Sequence, residues 1–162
     1  MSFGFSVGDF VTVIELANKI RKEFVEAPAQ FKDISDEVRN LSFVVQDVEI
    51  DLSSKELGSQ QKIELQEIAE NCRNVLTDIE KTIDRYSELK SNHDMRRNRV
   101  TRAWKRLKWE PDDIHNLRIR IGSNIGLLNA FNGRITRSNV TKLVERQENQ
   151  ELNTSLELDS GF

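Results

Sequence analysis

FKDISDEVRNLSFVVQDVEIDL, residues 31–52, decides the fold. Its apolar residues Phe31, Ile34, Val38, Leu41, Val45, Val48 and Leu52 follow one another at steps of 3, 4, 3, 4, 3 and 4, which is three heptads of a helical packing seam. A seam of that length needs a partner. Downstream, Ile68, Cys72, Val75, Ile79, Thr82, Tyr86 and Leu89 repeat the spacing, broken only by the threonine, and Gly58 and Ser59 separate the two series. The pattern predicts an antiparallel hairpin of two long helices.

Outward from the hairpin, Val13, Ala17, Ile20 and Phe24 mark an earlier helix that must turn near Pro28. Pro111 opens a later one, with Glu110 or a neighbour at the cap and Asp112 and Asp113 in the first turn, where the helix dipole favours anions. Ile114, Leu117, Ile121, Ile125 and Leu128 would face inward, and Asn132-Gly133 reads as a stop. A last helix from about Arg137, carrying Val140, Leu143 and Val144, is expected to fade into a polar tail from Glu148. No stretch alternates with period two over the length of a strand. The expected fold is all-α, an up-and-down bundle of four long helices with a short basic helix, divided into a bundle over 1–147 and a polar tail over 148–162.

Length and composition agree with a single domain: 162 residues, 37% hydrophobic, 31% charged, two prolines and seven glycines. Such a chain buries roughly 70% of the surface that it exposes when unfolded. The lone Cys72 excludes a disulfide framework, and Met1-Ser2-Phe3-Gly4 lacks the basic start of a secretory signal, so an intracellular compartment is expected. The Asn-x-Ser/Thr triplets at Asn40, Asn139 and Asn153 then carry no glycan.

The formal net charge of −3 conceals segregation. Residues 1–93 carry net −7, 94–137 net +7 and 138–162 net −3. Arg96, Arg97, Arg99, Arg102, Lys105, Arg106 and Lys108 crowd into thirteen positions, and Val100, Trp104 and Leu107 share one helical face among them. This is the short basic amphipathic helix, of a kind used on anionic membrane, nucleic acid or an acidic protein surface. An acidic sequence pI near 5.5 and the lack of a nucleic-acid motif weigh against nucleic acid. A structural role, pairing with the acidic first 93 residues, is the competing account.

Catalytic chemistry finds no foothold. His93 and His115 stand far apart, Cys72 lies on an apolar seam, and neither a zinc-ligand spacing, a P-loop nor a nucleophile elbow is present. Acid pairs such as Asp47 with Asp51 and Glu64 with Glu67 fall on helix faces expected to be solvated. Catalytic, cofactor and metal residues are therefore expected to be absent.

The first seventeen residues hold only two charges, Asp9 and Glu15. In a helix from about Val7, Asp9, Thr12, Glu15 and Lys19 form a narrow polar stripe, and Phe10, Val11, Val13, Ile14, Leu16 and Ala17 fill the rest. Alone it cannot span a bilayer, which needs about 20 apolar residues. Several copies together could shield the carboxylates in a wet lumen. Phe3, Phe5, Val7, Phe10, Val11 and Ile14 are the candidates for membrane insertion, and Asp9 and Glu15 for the lumen. The plainer alternative is a helix packed in the bundle. Gly4 and Gly8 have close-approach spacing, and Gly122, Gly126 and Ala130 repeat it, implying tight packing against a neighbouring helix.

GFSVGDFVTVIELANKIRKEF at 4–24, FKDISDEVRNLSFVVQDVE at 31–49, WKRLKWEPDDIHNLRIRI at 104–121 and SNIGLLNAFNGRITRSNVTKLVERQ at 123–147 closely resemble the HeLo-like N-terminal domain of fungal STAND (NLR-like) proteins. The resemblance covers residues 1–147. It implies a helical bundle placed ahead of a nucleotide-binding oligomerisation module, and kinship with the four-helix bundle of mixed-lineage-kinase-like proteins and the coiled-coil domains of plant immune receptors. In such relatives the first helix is released on oligomerisation and damages the plasma membrane. By position that role falls on Phe3 to Phe24. Residues 1–162 are not expected to hold such a nucleotide-binding module, and the stretch ELNTSLELDSGF shows no amyloid-type signalling repeat. The function expected is an immune or cell-death effector domain, cytoplasmic until recruited to the plasma membrane, whose partners are itself as a homo-oligomer and anionic lipid. The alternative is a regulatory homotypic module that recruits another protein without membrane activity.

Overall fold

The computed structural model describes residues 8–88 and 111–159. Among them are four long α-helices and no strand: α1 (Gly8–Glu23), α2 (Lys32–Ser53), α3 (Ser59–Glu88) and α4 (Pro111–Asp159). The all-α bundle read from the periodicity is the fold. The stretch assigned to the short basic helix lies outside the described residues.

Each boundary has a local cause. Asp9 sits in the first turn of α1 and Arg21 and Lys22 in its last, the arrangement that the helix dipole favours. Two 3-10 turns, Phe24–Glu26 and Ala29–Phe31, then reverse the chain around Pro28. Ala27, preceding the proline, is extended at φ −72° and ψ 144°, because the proline ring disfavours helical backbone there. The Ala27 N–H donates to the Phe24 carbonyl at 3.0 Å and the Phe31 N–H to that of Pro28 at 2.9 Å. Phe24 and Phe31 themselves are buried, so the reversal is anchored on both sides. At the next junction the Gly58 N–H donates to Gln61 Oε1 at 2.8 Å, and the Gly58 carbonyl accepts the first bond of α3, from Lys62. This is the backward half of a capping box.

The chain divides into two compact units, Met1–Asn129 and Ala130–Phe162. In the first, α1 packs along both α2 and α3. Asp9 lies opposite Arg73 and Lys19 opposite Glu80, so α1 and α3 run parallel. The short reversal at Pro28 sends α2 the other way. Arg118 of α4 reaches Asp33 and Glu37 of α2, and Arg120 reaches Asp78 of α3, which closes the up-and-down arrangement.

All seven seam residues of α2 are buried, each contributing about 1.5–3 kcal/mol. The α3 seam needs correction. Ile68, Cys72, Val75 and Ile79 are buried as expected, but Leu65, Ala69, Leu76 and Ile83 join them, and Thr82 is only half-buried, its hydroxyl bonded to the Asp78 carbonyl. A helix with neighbours on two sides needs a stripe wider than one heptad seam, and Ile83 continues that stripe where Thr82 does not. The Tyr86 side chain and Leu89 lie outside the described residues.

The expected stop at Asn132-Gly133 and the fade at Glu148 are both overturned, because α4 is one helix of 49 residues. Gly133 is helical, and the flanking Phe131 and Ile135 are buried, so the helix continues through a weak former. The second unit is exposed at every described side chain from Val140 to Leu158. Among the described residues the close packing inferred for Gly122 and Gly126 is absent as well. Both glycines are exposed, with nothing within 4 Å of where a Cβ would stand, and Ala130 is exposed too.

Candidate functional site

The polar stripe of α1 borders α3. Asp9 is 4.0 Å from Arg73, whose Nη2 also approaches Thr12 Oγ1 at 3.4 Å, and Lys19 donates to Glu80. The hydrogen bond from Lys19 to Glu80, reinforced by the carboxylate charge, raises the ammonium pKa above its ordinary value. Glu15 is exposed. Of the two lumen candidates, Asp9 is therefore engaged with α3 and Glu15 faces water.

The insertion candidates separate. Phe10 is 1% exposed and belongs to the core with Val13, Ala17 and Ile20. Ile14 is half-buried and Val11 is 39% exposed. Phe3, Phe5 and Val7 lie outside the described residues, as do all seven cations of the basic patch, Arg96 to Lys108. No helix among the described residues is long and apolar enough to cross a membrane.

Elsewhere Cys72, Arg118 and Glu37 are committed to structure. The Cys72 thiol is buried, and burial pushes its pKa up to about 12, the state of an inert apolar side chain. Arg118 Nε donates to Glu37 Oε1 at 2.8 Å, and its Nη1 lies 3.3 Å from Asp33 Oδ2. The bond to Glu37 raises the guanidinium pKa further. Glu37 Oε2 is buried without a hydrogen-bond partner. Among the described residues no group of three or more His, Cys, Asp or Glu could hold a metal ion.

A second feature escaped the periodicity. Where α1 meets α2, Asn18, Arg21, Lys22, Val25, Ser35, Asp36 and Arg39 line an open groove of about 510 Å³. Arg21 and Arg39 lie over the ring of Phe43, at 5.8 and 5.5 Å from its centre. Phe43 is 45% exposed and Val25 80%. Lys19, Arg73, Arg118 and Arg120 all have carboxylate partners, whereas Arg21, Lys22 and Arg39 form no salt bridge among the described residues. The signal was present in the Arg21-Lys22 pair and in Arg39 and Phe43, one turn apart on α2.

Comparison with protein-family models, with curated proteins and with solved structures gives no match to this chain.

Proposed function

We propose that this chain is a signalling and effector domain of the fungal NLR-like type, which self-associates and acts on the plasma membrane through its first helix. The resemblance of residues 1–147 supplies the family, and α1 supplies the physical support. Its Phe10–Val13–Ala17–Ile20 face is buried where it packs along α2 and α3, while Asp9 and Lys19 of its polar stripe are held by solvent-exposed ion pairs. Such a helix can exchange one apolar surface for another.

The magnitude of that exchange restricts how it happens. Uncovering Phe10, Val13, Ala17 and Ile20, with Phe24 just beyond, costs on the order of 10 kcal/mol. This is comparable with the whole stability of a domain, about 5–15 kcal/mol. Release of α1 must therefore be coupled to assembly or to lipid.

The test joins Thr12→Cys to Arg73→Cys by a short cleavable thiol cross-linker, with vesicles rich in phosphatidylserine as target. Buried Cys72 does not compete for the reagent. The cross-linked chain should leave the vesicles intact, and cleavage of the linker should restore leakage. Equal leakage before and after cleavage would exclude release of α1.

The burial of Phe10 favours a second reading, a homotypic interaction module in which α1 stays in the core. That module would self-associate without leakage, linker or no linker.

A further inference from the structure

The groove between α1 and α2 is built for acidic groups. Arg21, Lys22 and Arg39 converge on it, Asp36 is the one carboxylate of its lining among the described residues, and Val25 and Phe43 offer apolar surface beside them. Three cations sharing one concavity repel one another, and a bound anion relieves that repulsion.

The second unit carries the complementary surface. Within α4, Glu145, Glu148, Leu152 and Leu156 recur at steps of 3, 4 and 4 and so share a helix face, two carboxylates followed by two leucines. All four are exposed, Leu152 and Leu156 at 64% and 61%. Lys142 stands three positions before Glu145 and borders that face, whereas Arg146 falls off it at helical spacing.

We propose that the Glu145–Leu156 face of one copy docks in the Arg21–Lys22–Arg39 groove of a second copy, its carboxylates on the guanidinium and ammonium groups and its leucines against Val25 and Phe43. This deepens the self-association of the proposed function and rests on it. The contact is heterologous, one surface of the chain meeting a different surface of the next. Charge pairing would set its register and its salt dependence.

A charge swap tests it by sedimentation velocity at low and high salt. Two variants are made, Arg21→Glu with Arg39→Glu in the groove and Glu145→Arg with Glu148→Arg on the helix. None of the four side chains takes part in a salt bridge among the described residues, so circular dichroism should report an intact fold for both. The wild-type chain should assemble at low salt and dissociate at high salt. Each variant alone should associate about 100-fold more weakly, because like charges then face each other. Mixing the two variants, or placing all four substitutions in one chain, should restore assembly.

Wild-type assembly that survives the helix variant overturns the docking while leaving self-association standing. A wild-type chain that stays monomeric overturns both. Loss of binding to phosphatidylserine vesicles by the groove variant, with its assembly unchanged, would assign the groove to lipid head groups and equally overturn the docking.

Discussion

At the scale of single residues, Phe10 and Val11 are neighbours in sequence with opposite surroundings, the first sealed in the core and the second facing out. Phe10→Ala should cost about 3–5 kcal/mol in denaturant unfolding, and Val11→Ser about 0.5 kcal/mol or less. Cys72 gives a prediction in pH. Its thiol ordinarily titrates near 9.0 but in the fold only near 12, so the folded chain holds a proton that the unfolded chain releases. Stability should fall as pH rises between those values, and Cys72→Ala should flatten that part of the curve. Lys19 acts in the same direction: the stabilisation from its pairing with Glu80 is complete below the ordinary lysine pKa and is lost as pH rises through the raised one. Modification of the thiol at neutral pH should await unfolding. Cys72 was legible as buried because it stands on a 3–4 seam, whereas Phe10, read as a candidate for membrane insertion, stands one step before the Val13–Phe24 series and was not. The exposure of Phe43 follows from its place off the α2 seam, between Leu41 and Val45, but its contact with Arg21 depends on how α1 lies against α2, which the spacing of α2 alone leaves open.

At the scale of elements, α4 separates local from tertiary signals. Asn132-Gly133 has the composition of a helix end, yet Leu128, Phe131 and Ile135 keep the apolar steps at 3 and 4 across it. The continuing stripe outweighs a glycine, whose cost in a helix is only about 1 kcal/mol. Gly133→Ala should therefore stabilise the chain by about 0.5–1 kcal/mol, read from the thermal midpoint, because the backbone is helical and the space around it is open. A true left-handed cap would give the opposite sign. The α2 seam was legible in full because its spacing is unbroken. The α3 seam was legible in part, since a helix serving two neighbours buries positions that one heptad series omits.

At the scale of the whole molecule, the two units differ in how much they bury. Every described side chain from Val140 to Leu158 is exposed, so a chain ended after Asn139 should keep its thermal midpoint within a degree or two of the intact protein, on the order of 0.5 kcal/mol. The proposed docking should vanish in that shortened chain. Separation of the net charges was plain in the sequence, but which cations lacked a partner depended on the pairing of helices. Arg73, Arg118 and Arg120 each find a carboxylate on another helix, and among the described residues Arg21 and Arg39 do not.

The parallel pairing of α1 with α3 also bears on biosynthesis. Lys19 and Glu80 stand 61 positions apart, and the ribosome delivers about 5–20 residues per second. For roughly 3–12 s, therefore, a nascent chain has only α2 to cover the apolar face of α1 before the matching surface of α3 has emerged. Chaperones that bind such sequences have that interval in which to act.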